Sequence, residues 1–146
     1  AVETHDMANL LMRLEGGLQA SLQVNRCAWG RKGRIALQVF GSKGSILYDQ
    51  ERMNEVELYR AEGDARQQGF ARILTGPQHP PYDRFIPAPG HGLGFNDLKV
   101  IECRELLRAI AGEPASVISF ADGLEIERAV HAAARSFEVG GWVEVA

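Results

Sequence analysis

The chain has 146 residues, 45% hydrophobic and 24% charged, close to the averages of water-soluble globular domains, which sets aside disordered, collagenous and multi-domain readings. Lys and Arg number 16 against 19 Asp and Glu, a net charge of −3 without the basic excess of a nucleic-acid binder. A domain this long buries about 70% of the surface its unfolded chain exposes, so its core needs neither a metal nor a disulfide staple. The sequence shows no apolar run of about 18 residues or more and no basic-then-apolar leader, so no membrane partner is expected. Cys27 and Cys103 lack CxxC or Cys/His spacing and read as reduced, buried thiols of a cytoplasmic protein.

In chain order, Ala1-Val2-Glu3-Thr4 opens without a Met and leads at once into Met7, Ala8, Leu10, Leu11, Met12 and Leu14, which reads as a cut from something longer. Residues 18–24 alternate strictly, Leu18, Ala20, Leu22 and Val24 against Gln19, Ser21, Gln23 and Asn25, the pattern of a half-buried strand. Glu15-Gly16-Gly17 joins the two runs as a hairpin. Residues 34–40 alternate again, and Gly41-Ser42-Lys43-Gly44 turns them into a strand over 45–48. Val56, Leu58 and Tyr59 mark a fifth strand, and residues 68–74 a sixth after a polar turn at 62–66. Residues 75–94 are rich in Pro, Gly and His and read as a structureless loop of about 20 residues, a length that signals function or disorder.

The last third is helical. Phe95, Leu98, Ile101, Leu106 or Leu107 and Ile110 predict a helix over 95–111, stopped by Gly112 and Pro114. Ser119 and Asp122 have capping-box spacing, and Ile126, Val130, Ala133 and Phe137 form one stripe of a helix over 121–139, ending at Gly140-Gly141. Trp142-Val143-Glu144-Val145 reads as a closing strand. The expected fold is α+β: an open, mainly antiparallel sheet of about six strands, with both helices on the face carrying Leu22, Val24, Leu37 and Val39. The opposite face, with Ser21, Gln23, Asn25, Ala36, Gln38 and Phe40, is mixed and suits a wet interface in a homo-oligomer.

Motifs for nucleotides are missing. In Gly41-Ser42-Lys43-Gly44-Ser45 the Lys precedes the second Gly and a strand follows, which is a hairpin turn and not a phosphate loop. Gly90-His91-Gly92-Leu93-Gly94-Phe95 puts Phe where a dinucleotide fingerprint needs Gly, and follows a Pro-rich loop where a strand is required. His5, His79, His91 and His131 lack paired metal-ligand spacing. His131 reads as a solvated surface residue, and Asp122, Glu125 and Glu127 as carboxylates that favour a helix N-terminus. His91, between glycines that permit close backbone approach, is open to a binding role or a surface one. Trp29, with Arg26, Arg31, Lys32 and Arg34 around Gly30 and Gly33, is open to gripping an anionic or sugar ligand or to being a solvated basic loop.

Several segments occur in one order: Asp6-Met7-Ala8-Asn9-Leu10-Leu11, Glu15-Gly16-Gly17, Val39-Phe40-Gly41-Ser42-Lys43-Gly44-Ser45-Ile46, Pro89-Gly90-His91, Ser119-Phe120-Ala121-Asp122-Gly123-Leu124 and Gly141-Trp142-Val143-Glu144-Val145. So ordered, the chain resembles the C-terminal domain of the Gfo/Idh/MocA family, NAD(P)-dependent sugar and polyol oxidoreductases that include glucose-fructose oxidoreductase and inositol dehydrogenase. The resemblance implies a dihydrodipicolinate-reductase-like C-terminal domain, for substrate binding and oligomerisation, that follows a Rossmann domain. That absent domain would carry the glycine fingerprint and the catalytic Lys, so the chain alone is expected to hold no catalytic residue, no cofactor site and no metal. NAD or NADP is implied for the full-length protein, with a small sugar or polyol as substrate. The family's Asp-x-x-x-His motif does not map onto His5-Asp6. The expected substrate contacts are His91 and Arg84, in the 76–94 loop facing the missing domain, together with Arg26 and Trp29. The alternative is a stand-alone binding or assembly module of the same fold without redox chemistry.

Overall fold

The computed structural model describes residues 5–146. Six strands and two helices follow in order: β1 (Met7–Arg13), β2 (Gln19–Asn25), β3 (Ala36–Gly41), β4 (Gly44–Asp49), β5 (Glu55–Arg60), β6 (Ala71–Leu74), α1 (Phe95–Ile110) and α2 (Phe120–Val139). The chain divides into two compact units, one comprising the segment up to Gly30 with Ile118–Ala146, the other Arg31–Val117.

In the first unit β1 and β2 form a two-stranded antiparallel sheet in which Leu10 faces Leu22 and Met12 faces Ala20. The connecting turn needs its glycines, since Gly16 and Gly17 hold φ of +74° and +83°. α2 starts on a reciprocal cap: the Asp122 amide donates to Ser119 Oγ at 3.2 Å, and the Ser119 amide donates to Asp122 Oδ2 at 2.8 Å. It stops at Gly140 in the left-handed region, whose amide reaches the Ser136 carbonyl at 3.0 Å.

In the second unit β3-β4-β5-β6 form a four-stranded antiparallel meander. Gly41 pairs with Gly44 across the Ser42-Lys43 turn, and a Cβ on Gly44 would run into the Tyr59 carbonyl. Leu37, Val39, Ile46, Tyr48, Val56, Leu58 and Ile73 share one face by register. At its start α1 is held by Asp97, whose Oδ2 accepts from the Gly94 amide at 2.7 Å. At its end Gly112 takes φ +74°.

Five expectations need correction. The six antiparallel strands fall into two hydrogen-bonded sheets, because residues 26–35, with Gly30 at φ +93° and Gly33 at φ +142°, join no ladder. Trp142–Val145 form no strand: Arg13 stacks on the Trp142 ring at 4.8 Å, and Arg135 Nη2 donates to the Glu144 carbonyl at 2.8 Å. Leu22, Val24, Leu37 and Val39 lie exposed, not beneath helices, since alternation reveals that a face is apolar but not what covers it. Cys27 and Cys103 are free as expected, yet exposed. The sixth strand also starts later, at Ala71, because Gln68 turns aside to accept from the Tyr59 hydroxyl at 2.5 Å.

Candidate functional site

The segment between β6 and α1 is ordered, contrary to the expectation of a structureless loop. Asn54, at the entry to β5, closes it at both ends. Its carbonyl accepts from the Thr75 amide at 2.8 Å and from Thr75 Oγ1 at 3.2 Å. Its side chain then brackets Leu93: the Leu93 amide donates to Asn54 Oδ1 at 2.6 Å, and Asn54 Nδ2 donates to the Leu93 carbonyl at 2.9 Å. Residues 75 and 93 are thereby pinned to one residue, which removes much of the freedom that a loop of this length would otherwise keep. Gly92 is the point of close approach, where a Cβ would sit 3.0 Å from Asn54 Cγ.

Inside the closure the segment carries its own hydrogen bonds. The His79 amide donates to the Gly76 carbonyl at 3.0 Å, and the Tyr82 amide to the His79 carbonyl at 2.9 Å, leading into a single 3₁₀ turn at Tyr82–Arg84. Ile86, 1% exposed, and Leu93 are the anchors that this segment buries. The Gly76 amide donates to His79 Nδ1 at 3.2 Å, so the neutral imidazole carries its proton on Nε2.

Between this segment, the β4–β6 strands and the first turn of α1 lies a cavity of about 330 Å³. Val56, Ile73, Leu93 and Leu98 give it an apolar lining, and Tyr48, Thr75, His79 and Tyr82 supply polar groups. Glu55 also borders it, but its carboxylate is engaged by Arg52 at 2.6 Å and Arg72 at 3.6 Å. A concave site of this size, mostly apolar with a few polar groups, has the character of a small-molecule pocket.

None of the residues expected to bind substrate lines this cavity. His91 is exposed with Nδ1 3.1 Å from the Ala88 carbonyl, which can only accept, so Nδ1 donates and Nε2 is left as an acceptor. Arg84 is exposed, its Nε 3.8 Å from Asp83. Arg26 and Trp29 belong to the other unit. The indole of Trp29 is 99% exposed, while the Arg26 amide is tied to the Asp6 carbonyl at 2.9 Å. Their basic neighbours are already engaged: Arg31 Nη1 donates to Glu51 Oε2 at 3.0 Å and Arg34 Nε to Asp49 Oδ2 at 2.9 Å. The Arg34 hydrogen bond holds the Asp49 carboxyl below its ordinary range, and the Lys32 amide does the same for Glu51. His79, Tyr82, Tyr48 and Asn54 gave no periodic signal, because their roles arise from loop closure and not from spacing.

The glycine-rich run before α1 does not fit a dinucleotide. No strand leads into it, and the Asp97 carboxylate already occupies the Gly94 amide where a pyrophosphate would need free donors. Among the described residues no group of three or more His, Cys, Asp or Glu could hold a metal ion, and no helix is long and apolar enough to cross a membrane.

No protein-family model matches the chain. Levoglucosan dehydrogenase of Pseudarthrobacter phenanthrenivorans is 32% identical over 144 residues, which is 99% of this chain and 37% of the relative. The chain is homologous to sugar-active and NAD-binding oxidoreductases. The structure of levoglucosan dehydrogenase with NADH and levoglucosan superposes at a TM-score of 0.92, with 32% identity, over 99% of this chain and 39% of that one. An oxidoreductase domain protein from Kribbella flavida matches at 36% identity and a TM-score of 0.92, and an NAD-binding oxidoreductase from Klebsiella pneumoniae at 33% and 0.91. Each match covers 99% of this chain and 39% of the solved one. The chain thus spans well under half the length of the proteins it resembles.

Proposed function

We propose that the chain is the substrate-binding part of an NAD-dependent sugar or polyol oxidoreductase of the Gfo/Idh/MocA family, working with a Rossmann domain that holds the dinucleotide. The observation that carries this reading is the end-to-end match, at 32% identity and a TM-score of 0.92, to a dehydrogenase solved with both NADH and levoglucosan. The misfit of the chain's own glycine-rich run to a pyrophosphate supports a division of labour in which cofactor and substrate are held by different parts of a longer protein. On this reading the full-length enzyme oxidises a ring hydroxyl with NAD⁺ as hydride acceptor. An open sheet face of mixed polar and apolar residues pairs two copies. His91, Arg84, Arg26 and Trp29 remain proposed contacts to substrate at the boundary with the cofactor domain. The two free thiols support a cytoplasmic setting.

The test is the complete gene product assayed with NAD⁺ against anhydrosugars, pyranoses and inositols, following NADH release. Turnover is expected from the full-length protein and none from the 146-residue chain alone. A complete product that begins at residue 1, or a longer one that reduces neither NAD⁺ nor NADP⁺ with any of these, would return the chain to a stand-alone binding module.

A further inference from the structure

We propose that His79 is a pH-sensitive latch on the segment between β6 and α1: the neutral imidazole holds the start of the segment shut on the Gly76 amide, and proton uptake releases it while the Asn54 closure stays in place. The device consists of this chain's own hydrogen bonds and does not depend on the activity proposed above.

The geometry ties the latch to one protonation state. The Gly76 amide is buried and donates to His79 Nδ1 at 3.2 Å. Only a neutral ring with its proton on Nε2 leaves Nδ1 a lone pair to accept with, whereas an imidazolium carries N–H on both nitrogens and sets donor against donor. Acid therefore abolishes this bond and leaves a buried amide without its partner, so the ring has to turn away and the Gly76 amide has to reach water.

The same pair begins a series of backbone bonds. The His79 amide donates to the Gly76 carbonyl at 3.0 Å, the Tyr82 amide to the His79 carbonyl at 2.9 Å, and the Ile86 amide to the Tyr82 carbonyl at 2.8 Å. The series ends on the segment's buried anchor, since Ile86 is 1% exposed. Its outer ends behave differently. Thr75 and Leu93 are held by the carbonyl and carboxamide of Asn54, groups that do not titrate. A segment fixed at both ends and latched between them by an imidazole loosens first at residues 76–79.

The surrounding charges leave the decision to that one bond. Of the titratable groups bordering the cavity that His79 lines, β4 brings Tyr48, β5 brings Glu55 and the segment itself brings Tyr82, while α1 brings only the uncharged Leu98. Glu55 is matched by Arg52 at 2.6 Å and Arg72 at 3.6 Å, and Asp83 and Arg84, farther along the segment, face each other at 3.8 Å. Among these neighbours no unmatched carboxylate draws a proton onto His79 and no unmatched cation keeps one off.

The experiment is amide hydrogen exchange of the 146-residue chain, followed by NMR at about pH 7.5 and about pH 5.5 and corrected for intrinsic rates, together with proton–nitrogen spectra of the imidazoles. The His79 ring should carry its proton on Nε2 at the higher pH. Protection of the Gly76 and His79 amides should fall about tenfold or more on acidification, with the midpoint of the His79 ring's own titration, while Thr75 and Leu93 stay within about twofold. This range lies above the one in which Asp49 and Glu51, held below 3.8 and 4.5, take up their protons, so their clamps stay intact. His79→Asn, whose Oδ1 replaces Nδ1 as acceptor, should keep the Gly76 amide protected at both pH values, and His79→Ala should leave it unprotected at both. A neutral ring protonated on Nδ1, Gly76 protection that does not follow the His79 titration, an equal loss in acid from His79→Asn, or simultaneous loss at Thr75 and Leu93 would each overturn the latch.

Discussion

Asn54 shows how much one side chain decides. It satisfies both backbone groups of Leu93 and receives Thr75, so two distant points of the chain are held by one planar amide. Replacement by Ala removes the hydrogen bonds to Leu93 and leaves its buried backbone groups unpaired, at about 1 kcal/mol or more for each bond. Asn54→Ala is therefore expected to lower the unfolding free energy by about 2–3 kcal/mol in urea titration. It should also speed hydrogen exchange of the Leu93 amide while leaving the β1–β2 amides unchanged. Gly92 was legible as a residue chosen for close approach, but the surface approached is Asn54 of the same chain. The glycines drew attention to His91, which lies exposed, while His79, surrounded by prolines, faces the cavity. Nothing in the composition of a Pro-rich run says which of its imidazoles turns inward, because that is set by a hydrogen bond from the Gly76 amide.

At the scale of elements the sequence was informative wherever signals are local. Both hairpins, the α2 capping box and the glycine stops follow from turn chemistry and periodicity within a few residues, and they occur where the pattern puts them. Ser119→Ala is expected to cost about 1 kcal/mol, read as a lower melting temperature with lost helical circular dichroism. The misread elements depend on partners distant in sequence. Trp142–Val145 alternates like a strand, but its indole and a carbonyl are taken by Arg13 and Arg135. Acid tests the loop clamps. Asp49, hydrogen-bonded by Arg34, and Glu51, hydrogen-bonded by the Lys32 amide, are held below their ordinary values of 3.8 and 4.5. Their stabilisation is thus present in full above those values and is lost as pH falls through the lower folded ones. Asp49→Asn should reduce stability at pH 7 by an amount that stays constant down to about pH 4 and shrinks below it, flattening the acid limb of a stability–pH curve.

At the scale of the whole molecule, apolar stripes stand without covers. Leu37, Val39 and Ile46, neighbours by register on one sheet face, are about half exposed, and Phe120 at the start of α2 is fully so. Full burial of each such side chain contributes about 1.5–3 kcal/mol, so a protein that evolved with these faces open to water would carry a large and avoidable cost. A two-stranded sheet such as β1–β2 is also marginal by itself. Both facts accord with the proposal above that the chain works as part of a longer protein, whose other segments would then cover these stripes; it spans 37% of a homologous dehydrogenase. The consequence is measurable with an apolar dye such as anilinonaphthalene sulfonate. The chain alone should enhance its fluorescence strongly at pH 7, and Val39→Asp or Leu37→Ser should reduce that signal because each removes part of the exposed face. If the proposed longer protein covers these residues, its full-length product should bind little dye per mole despite its greater size. Equal or greater dye binding by the full-length protein would mean that these faces stay open in the intact molecule and that their apolar character serves something other than burial against its own chain.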